Sequence, residues 1–364
     1  MAFLNFRTTY YGIDIGTRNI AGIKLKKTLR GFKIIDMVLK PLPELAIREG
    51  RFQDPQLAVK LLRQVKDDLG ISGQEVHLAF TGQNAVIRKV EMPLMTDKEL
   101  SEAIRWEADK VLSYPVDEAF IDWIVLDRQG GTEDMMSILL IASRKDFIRS
   151  FLKPIKSAEL RPANLSIFPI PLIHFLKQVK GFKDYTTTAV IDLGASATHL
   201  LIIKEGLPWL SRTIPIGGND FSQAVMDSFG LTFTEAEDVK IESGTLTGED
   251  KEGQPIIDME DNPYLGVDDV LLSIAQDVIG EVRRSFVHYH MHNRGKQIEA
   301  IYLTGGSSLF PGLKELLEEA LSVDVFPLEA GGNFSIDQKI NDDFIEKKAF
   351  MTEALGLAIS GVSK

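Results

Sequence analysis

Apolar residues recur along this chain with two periods, and the change from one to the other marks its elements. Helical spacing is clearest over residues 55–69, where Leu57, Leu61, Leu62, Val65 and Leu69 fall on one face. It returns over 96–112 with Leu100, Ala103, Ile104, Ala108 and Val111, opened by Thr96 and Glu99 in the T-x-x-E spacing of a capping box. Residues 144–158 read as a third helix. A long one is predicted over 269–293, with Leu272, Ala275, Ile279, Val282, Phe286 and Tyr289 along one side and Asp268 and Asp269 at its start. Strand patterns at 120–126 and 136–142 combine with the second helix into a compact α+β insertion over 81–157. The stretch 168–175, with two prolines, reads as a helix start packed on the core. Asp127 and Arg128 read as a turn, and 244–262, rich in Gly, Asp and Glu, as a surface loop.

Two of the strand patterns repeat. Residues 11–26, YGIDIGTRNIAGIKLK, and 189–204, AVIDLGASATHLLIIK, each place an apolar strand, Asp-x-Gly, a short polar turn and a second apolar strand in that order. Asp14 aligns with Asp192, Gly16 with Gly194 and Arg18 with Ser196. Two hairpins with the same turn chemistry predict two related domains facing each other. A third element is strand, glycine turn, helix: 298–303 is a buried-strand run, Thr304, Gly305, Gly306 and Ser307 form a tight turn, and 311–321 is helical, with Pro311 in its first turn.

At 364 residues the chain is long enough for two or three domains, each with a core. Its formal net charge of -11 argues against nucleic acid or an anionic membrane surface as partner, since both call for basic patches. With no cysteine, disulfides, cysteine-ligated zinc and thiol nucleophiles are excluded. No apolar run approaches the length of a membrane span, and no signal-peptide core opens the chain, so membrane association is expected to run through a partner or a weak surface contact.

The turns carry the chemistry. Glycine lets backbone come close to a ligand, and successive N–H groups converge on anionic oxygens. A carboxylate beside them suits Mg²⁺, which keeps waters and bridges to phosphate. Two such hairpins on opposite sides would clamp a polyphosphate, and the Gly305–Ser307 turn would let a purine approach the backbone. A lone Asp-x-Gly is as often an ordinary turn; it is the ordered set of three that points to a nucleotide.

That ordered set resembles the phosphate 1, phosphate 2 and adenosine motifs of the actin/Hsp70/sugar-kinase superfamily. A narrower resemblance, to the PilM family of type IV pilus assembly proteins, rests on Met92-Pro-Leu-Met, Glu102-Ala-Ile-Arg-Trp-Glu-Ala and Tyr114-Pro-Val-Asp-Glu in the insertion. Ile216-Gly-Gly-Asn-Asp-Phe, the run from Glu235 to Gly244 and Glu353-Ala-Leu-Gly-Leu-Ala carry it further along the chain. The resemblance implies an α/β, actin-like (ribonuclease H-like) two-domain fold with subdomains 1A, 1C, 2A and 2B around a nucleotide cleft. It implies first-part 1A over 1–80, 1C over 81–157, a connection over 158–187, 2A over 188–216 and 297–340, 2B over 217–296, and a closing 1A helix over 341–364.

The same resemblance implies ATP with Mg²⁺ as ligand. Asp14, Gly16 and Thr17 would line the first phosphate turn; Asp192, Gly194, Ala195 and Ser196 the second; and Gly305, Gly306 and Ser307 the adenosine. Glu237 and Lys240 would form an E-x-x-K pair near ribose and base, and Asp14 and Asp192 would meet Mg²⁺ through water. It further implies a cytoplasmic scaffold, peripheral to the inner membrane through partners, that receives the tail of a single-span PilN-like protein in a groove between 1A and 1C. Met92, Trp106, Glu107 and Tyr114 are the candidate contacts.

Two departures stand out. Many relatives carry a lysine seven residues after the first aspartate, where this chain has Ala21; Arg18 and Lys24 are the nearby cations. An acidic residue common after the insertion is here Ser166. Both predict slow hydrolysis. The competing readings are a small-molecule kinase, which needs a base that Ser166 cannot be, and a filament of the FtsA type, whose terminal membrane helix has no counterpart after Gly361. His288, His290 and His292 lack an acidic third ligand and read as a solvated helix end.

Overall fold

The computed structural model describes residues 9–80, 84–128, 134–182, 185–242, 246, 264 and 266–362. The chain opens with β1 (Thr9–Ile15), β2 (Asn19–Thr28) and β3 (Gly31–Pro41), an antiparallel meander. A ribbon of β4 (Ile47–Arg48) and β5 (Arg51–Phe52), then α1 (Pro55–Asp68), lead to β6 (Glu75–Phe80), which lies parallel to β1. Next come β7 (Ala85–Pro93), α2 (Asp97–Val111), β8 (Ala119–Asp127), β9 (Met135–Arg144) and α3 (Lys145–Ser157). β10 (Arg161–Ile167) returns beside β6, and α4 (Ile170–Leu176) follows.

The second half repeats the plan. β11 (Thr187–Leu193), β12 (Thr198–Lys204) and β13 (Leu207–Ile214) form an antiparallel meander. After α5 (Gly218–Phe229), α6 (Phe233–Glu242) and α7 (Val267–His292), β14 (Ala300–Thr304) pairs parallel with β11. α8 (Leu313–Leu321) and β15 (Val325–Pro327) complete that sheet. β16 (Phe334–Ile336) then joins the far edge of the first sheet, and α9 (Asn341–Lys347) and α10 (Thr352–Ser360) end the described chain.

The two large sheets therefore have orders β10-β6-β1-β2-β3-β16 and β13-β12-β11-β14-β15. The sequence repeat is a repeat of topology: β1 and β11 are each flanked by an antiparallel hairpin partner and a parallel strand. Packing explains the helix patterns. α1 and α3 cover the outer face of the first sheet, where Leu62, Val65, Phe147 and Phe151 meet. α5 to α8 cover the outer face of the second, while α4 and α10 lie between the sheets in a core shared by Ile23, Val190, Leu355 and Ile359. A helix packed on all sides must be apolar all round, and seven of the residues of α10 are buried.

The insertion forms a three-stranded sheet, β7-β9-β8, with α2 on one face. The expected capping box is present, Thr96 bonding the Glu99 amide and Glu99 the Thr96 amide. α3, counted with 81–157 from sequence, packs instead into the core of the first large sheet, since its Phe147, Phe151 and Ile155 need that apolar face. Pro311 precedes α8 rather than opening it: a 3-10 turn over Gly306–Leu309 intervenes, and Gly312 in left-handed conformation caps the helix. Asp127 ends β8, and the 244–262 loop lies outside the described residues except for Leu246. Among the described residues no helix is long and apolar enough to cross a membrane.

Candidate functional site

Strands β1, β11 and β14 end on one side of their sheets, and the polar turns after them open into a common cleft, where parallel-strand ends ordinarily hold ligands. The cleft is a cavity of about 510 Å³, in the range of small-molecule sites. All twelve residues expected at a nucleotide line it: Asp14, Gly16, Thr17, Asp192, Gly194, Ala195, Ser196, Glu237, Lys240, Gly305, Gly306 and Ser307.

The two hairpins are built alike. The Gly16 amide bonds the Asn19 carbonyl at 3.0 Å, and the Gly194 amide bonds the Ala197 carbonyl at 3.1 Å. Asp14 pairs across its hairpin with Ala21, and Asp192 with His199, at the same register. The second turn is buttressed by α5, whose Gly218 and Asn219 amides bond the Gly194 and Ala195 carbonyls at 2.9 and 2.7 Å. Gly305 takes a φ of +91°, and a side chain there would strike the Leu193 carbonyl and the Asp192 carboxylate, so only glycine lets the third turn close on the second.

Sequence reasoning missed one member of the site. Glu353, in the first turn of α10, lines the cavity and shares a hydrogen bond with Asp14. The signal was an acid at the start of an otherwise apolar helix. Burial pushes Asp14 up to about 6, with the Glu353 and Ile15 hydrogen bonds working the other way. Burial, then the nearby Asp14 charge, pushes Asp192 up to about 7. Glu353 is raised by burial first and by both aspartates second. Three carboxyls gathered in a half-enclosed cleft repel one another, and a cation would relieve them.

Glu237 and Lys240 form an ion pair at 2.7 Å, but Lys240 does more than pair. Its ammonium also donates to the Ser222 hydroxyl at 2.8 Å and the Gly218 carbonyl at 3.1 Å, which uses all three of its protons. It pins α6 to the start of α5. Burial, more than any neighbour, depresses its pKa. Of the two other cations considered, Lys24 turns away to donate to the Leu69 carbonyl at 3.2 Å, while Arg18 lines the cleft. Ala21 lines it too, and Ser166 sits on β10, with Phe168 on the cavity wall.

Asp14 and Asp192 suit a hydrated Mg²⁺ by donor chemistry, being adjacent carboxylates that a water shell could bridge to phosphate. Among the described residues no group of three or more acidic or histidine side chains is arranged to hold a metal ion directly.

The partner candidates separate. Met92 is 5% exposed in the core under α2, Glu107 pairs with Lys110 at 2.6 Å, and the Arg144 guanidinium lies 5.1 Å from the Tyr114 ring. Trp106 is 77% exposed on the outer side of α2. Sequence reasoning passed over Phe120 and Ile124, 48% and 37% exposed, which alternate with the buried side of β8 and so face away from α2. His288 and His292 meet edge to face at 4.2 Å, and the His292 Nδ1 donates to the His288 carbonyl at 2.8 Å.

Comparison with known proteins gives this geometry its setting. The structure resembles that of a PilM-PilN type IV pilus biogenesis complex with a TM-score of 0.83, at 23% identity, covering 97% of this chain and 98% of that one. The ethanolamine utilization protein EutJ of Carboxydothermus hydrogenoformans follows at 0.56 and 15% identity, covering 96% and 89%. The fold is the actin-like one. Among curated proteins, the cell division protein FtsA of Neisseria meningitidis serogroup B is 23% identical over 88% of this chain and 84% of its own length. FtsA of Bacillus subtilis (strain 168) is 20% identical over 88% and 79%. The model of the family described as type IV pilus assembly protein PilM matches residues 12–362, nearly the whole sequence, and the chain belongs to that family.

Proposed function

We propose that the chain binds ATP with Mg²⁺ in the cleft and acts as a scaffold of pilus assembly, at the cytoplasmic face of the inner membrane, that holds the tail of a PilN-like protein. One observation carries the nucleotide half: three glycine-bearing turns from distant parts of the sequence, two of them preceded by an aspartate at the end of a strand, line one cavity. Gly16, Thr17, Gly194, Ala195 and Ser196 would take the phosphates. Asp14 and Asp192 would hold the hydrated cation, whose chemistry when bound is to offset phosphate charge. Gly305, Gly306 and Ser307 would admit the purine beside Phe350. Titration calorimetry with Mg²⁺ and ATP tests this on wild type and Asp14→Ala. Binding in the first and its loss in the second is the expected result; equal affinity would overturn the assignment.

The partner half rests on family membership and on the inserted sheet. Phe120 lies beside the α3 start, 5.8 Å from the Lys145 ammonium, at the seam between that sheet and the first domain. Exposed apolar side chains on a sheet face suit an extended apolar tail, with an affinity on the order of micromolar. A peptide with the sequence of the cytoplasmic tail of the PilN-like protein from the same organism should bind wild type and lose affinity with Ile124→Asp. Unchanged binding in that variant would place the tail elsewhere.

A further inference from the structure

We propose that Arg18 recognises the terminal phosphate of the bound nucleotide and sets the preference for a triphosphate over a diphosphate; the inference rests on the nucleotide reading above. A charge inventory of the cavity wall leads to it. The lining carries four acids, Asp14, Asp192, Glu237 and Glu353, against two bases, Arg18 and Lys240. A triphosphate adds further negative charge, of which one Mg²⁺ offsets only part. Lys240 is already spent, its three protons committed to Glu237, Ser222 and Gly218. The two positions opposite the aspartates, equivalent by register, supply no cation either. One is Ala21; the other is His199, stacked on Phe168 with ring centroids 4.6 Å apart and with its Nδ1 3.2 Å from the Thr213 hydroxyl.

Arg18 remains. It stands in the first phosphate turn, directly after Gly16 and Thr17, and its side chain spans the cleft to the other half of the molecule. There its guanidinium carbon lies 4.8 Å from the ring centroid of Phe233, at the start of α6. Among the described residues it forms no ion pair with a carboxylate. A cation over an aromatic face is held, but less firmly than one bonded to phosphate, where the planar fork can take two oxygens. Phe233 thus keeps the guanidinium extended over an acidic cavity without neutralising it. A triphosphate long enough to reach the turn tip would draw Arg18 off the ring. A diphosphate would leave it there.

The test is equilibrium titration of the full chain, in Mg²⁺, with a non-hydrolysable ATP analogue, ADP and AMP. Arg18→Ala should weaken the triphosphate analogue about tenfold or more, as for loss of a hydrogen bond to a charged group, while ADP changes less and AMP not at all. Arg18→Lys should recover part of the loss, since it keeps the charge but not the fork. An unchanged ratio of triphosphate to diphosphate affinity in Arg18→Ala, with both ligands still binding, would overturn this inference alone. Failure of the wild-type chain to bind any of the three would overturn the nucleotide reading and this inference with it.

Discussion

Asp14 and Asp192 are ordinary carboxylic acids placed where two strands end side by side, and their behaviour follows from that placement. The unfolded chain releases such protons near the ordinary value of 3.8, while the folded chain keeps them to about 6 and about 7. Between those limits the folded state binds more protons than the unfolded one. Its stability is therefore greatest at the acid end of the window and declines as the pH rises through it. Thermal unfolding of the nucleotide-free protein between pH 4.5 and 8 should show this fall, and saturating Mg²⁺ and ATP should flatten it. The same reasoning predicts that Asp192→Asn stabilises the free protein at neutral pH, by about 1 kcal/mol or a few degrees in Tm, while weakening Mg²⁺-dependent binding. A free-protein Tm that drops in that variant would show the carboxylate to be structural. The place of these aspartates and their glycines in the cleft was legible in sequence because a tight Asp-x-Gly turn between two strands admits few residue types. Glu353 and Arg18 were not placed, because their roles depend on which distant element each faces.

Elements were legible where one face meets one core. α1 and α2 show clean apolar stripes and side-chain caps, Asp54 and Thr96, and both lie close to where periodicity puts them. α3 has an equally clear pattern but was assigned to the wrong neighbour, since a stripe says that a helix packs and not against what. α10 is the opposite case: apolar all round, it has no stripe, and its place between the sheets is a tertiary fact. Gly356 makes that placement close. A side-chain carbon there would overlap the backbone carbonyl of Pro171 on α4, which cannot swing aside as a flexible side chain would. Alanine would gain about 1 kcal/mol of helix propensity. Prying the two central helices apart should cost more, about 1–3 kcal/mol from overpacking with a strained backbone behind it. Gly356→Ala is expected to lower Tm by several degrees in thermal unfolding. Because Glu353 rides on the same helix one turn earlier, the substitution should also weaken nucleotide binding. A variant as stable as wild type would mean that α4 and α10 separate freely.

At the scale of the molecule, two copies of one sheet plan face each other across α4 and α10, and the cleft between them lies at the ends of β1, β11 and β14. A ligand that touches turns from both halves binds the folded state alone. At a hundred times its dissociation constant it should add about 2.7 kcal/mol of stability, which a Tm shift would report. Binding of this kind needs backbone amides and a cation; turnover needs in addition a polar group that orients water in line with the terminal phosphate. The wall offers little for that purpose. Ala21 brings no charge, Ser166 lies on β10 outside the cavity lining, and Phe80 and Phe168 present buried apolar rings to the cavity. Two further acids line it: Glu237 is paired with Lys240, and Glu353 is hydrogen-bonded to Asp14 and held toward its protonated form by burial and by both aspartates. Hydrolysis by the isolated protein should therefore run well below the roughly 1–100 s⁻¹ of kinases that use the same phosphate chemistry. Phosphate release from contaminant-free protein, with Asp14→Ala as the blank, measures this. A rate within the kinase range, abolished in that blank, would mean that the cleft is built for turnover and would count against the scaffold.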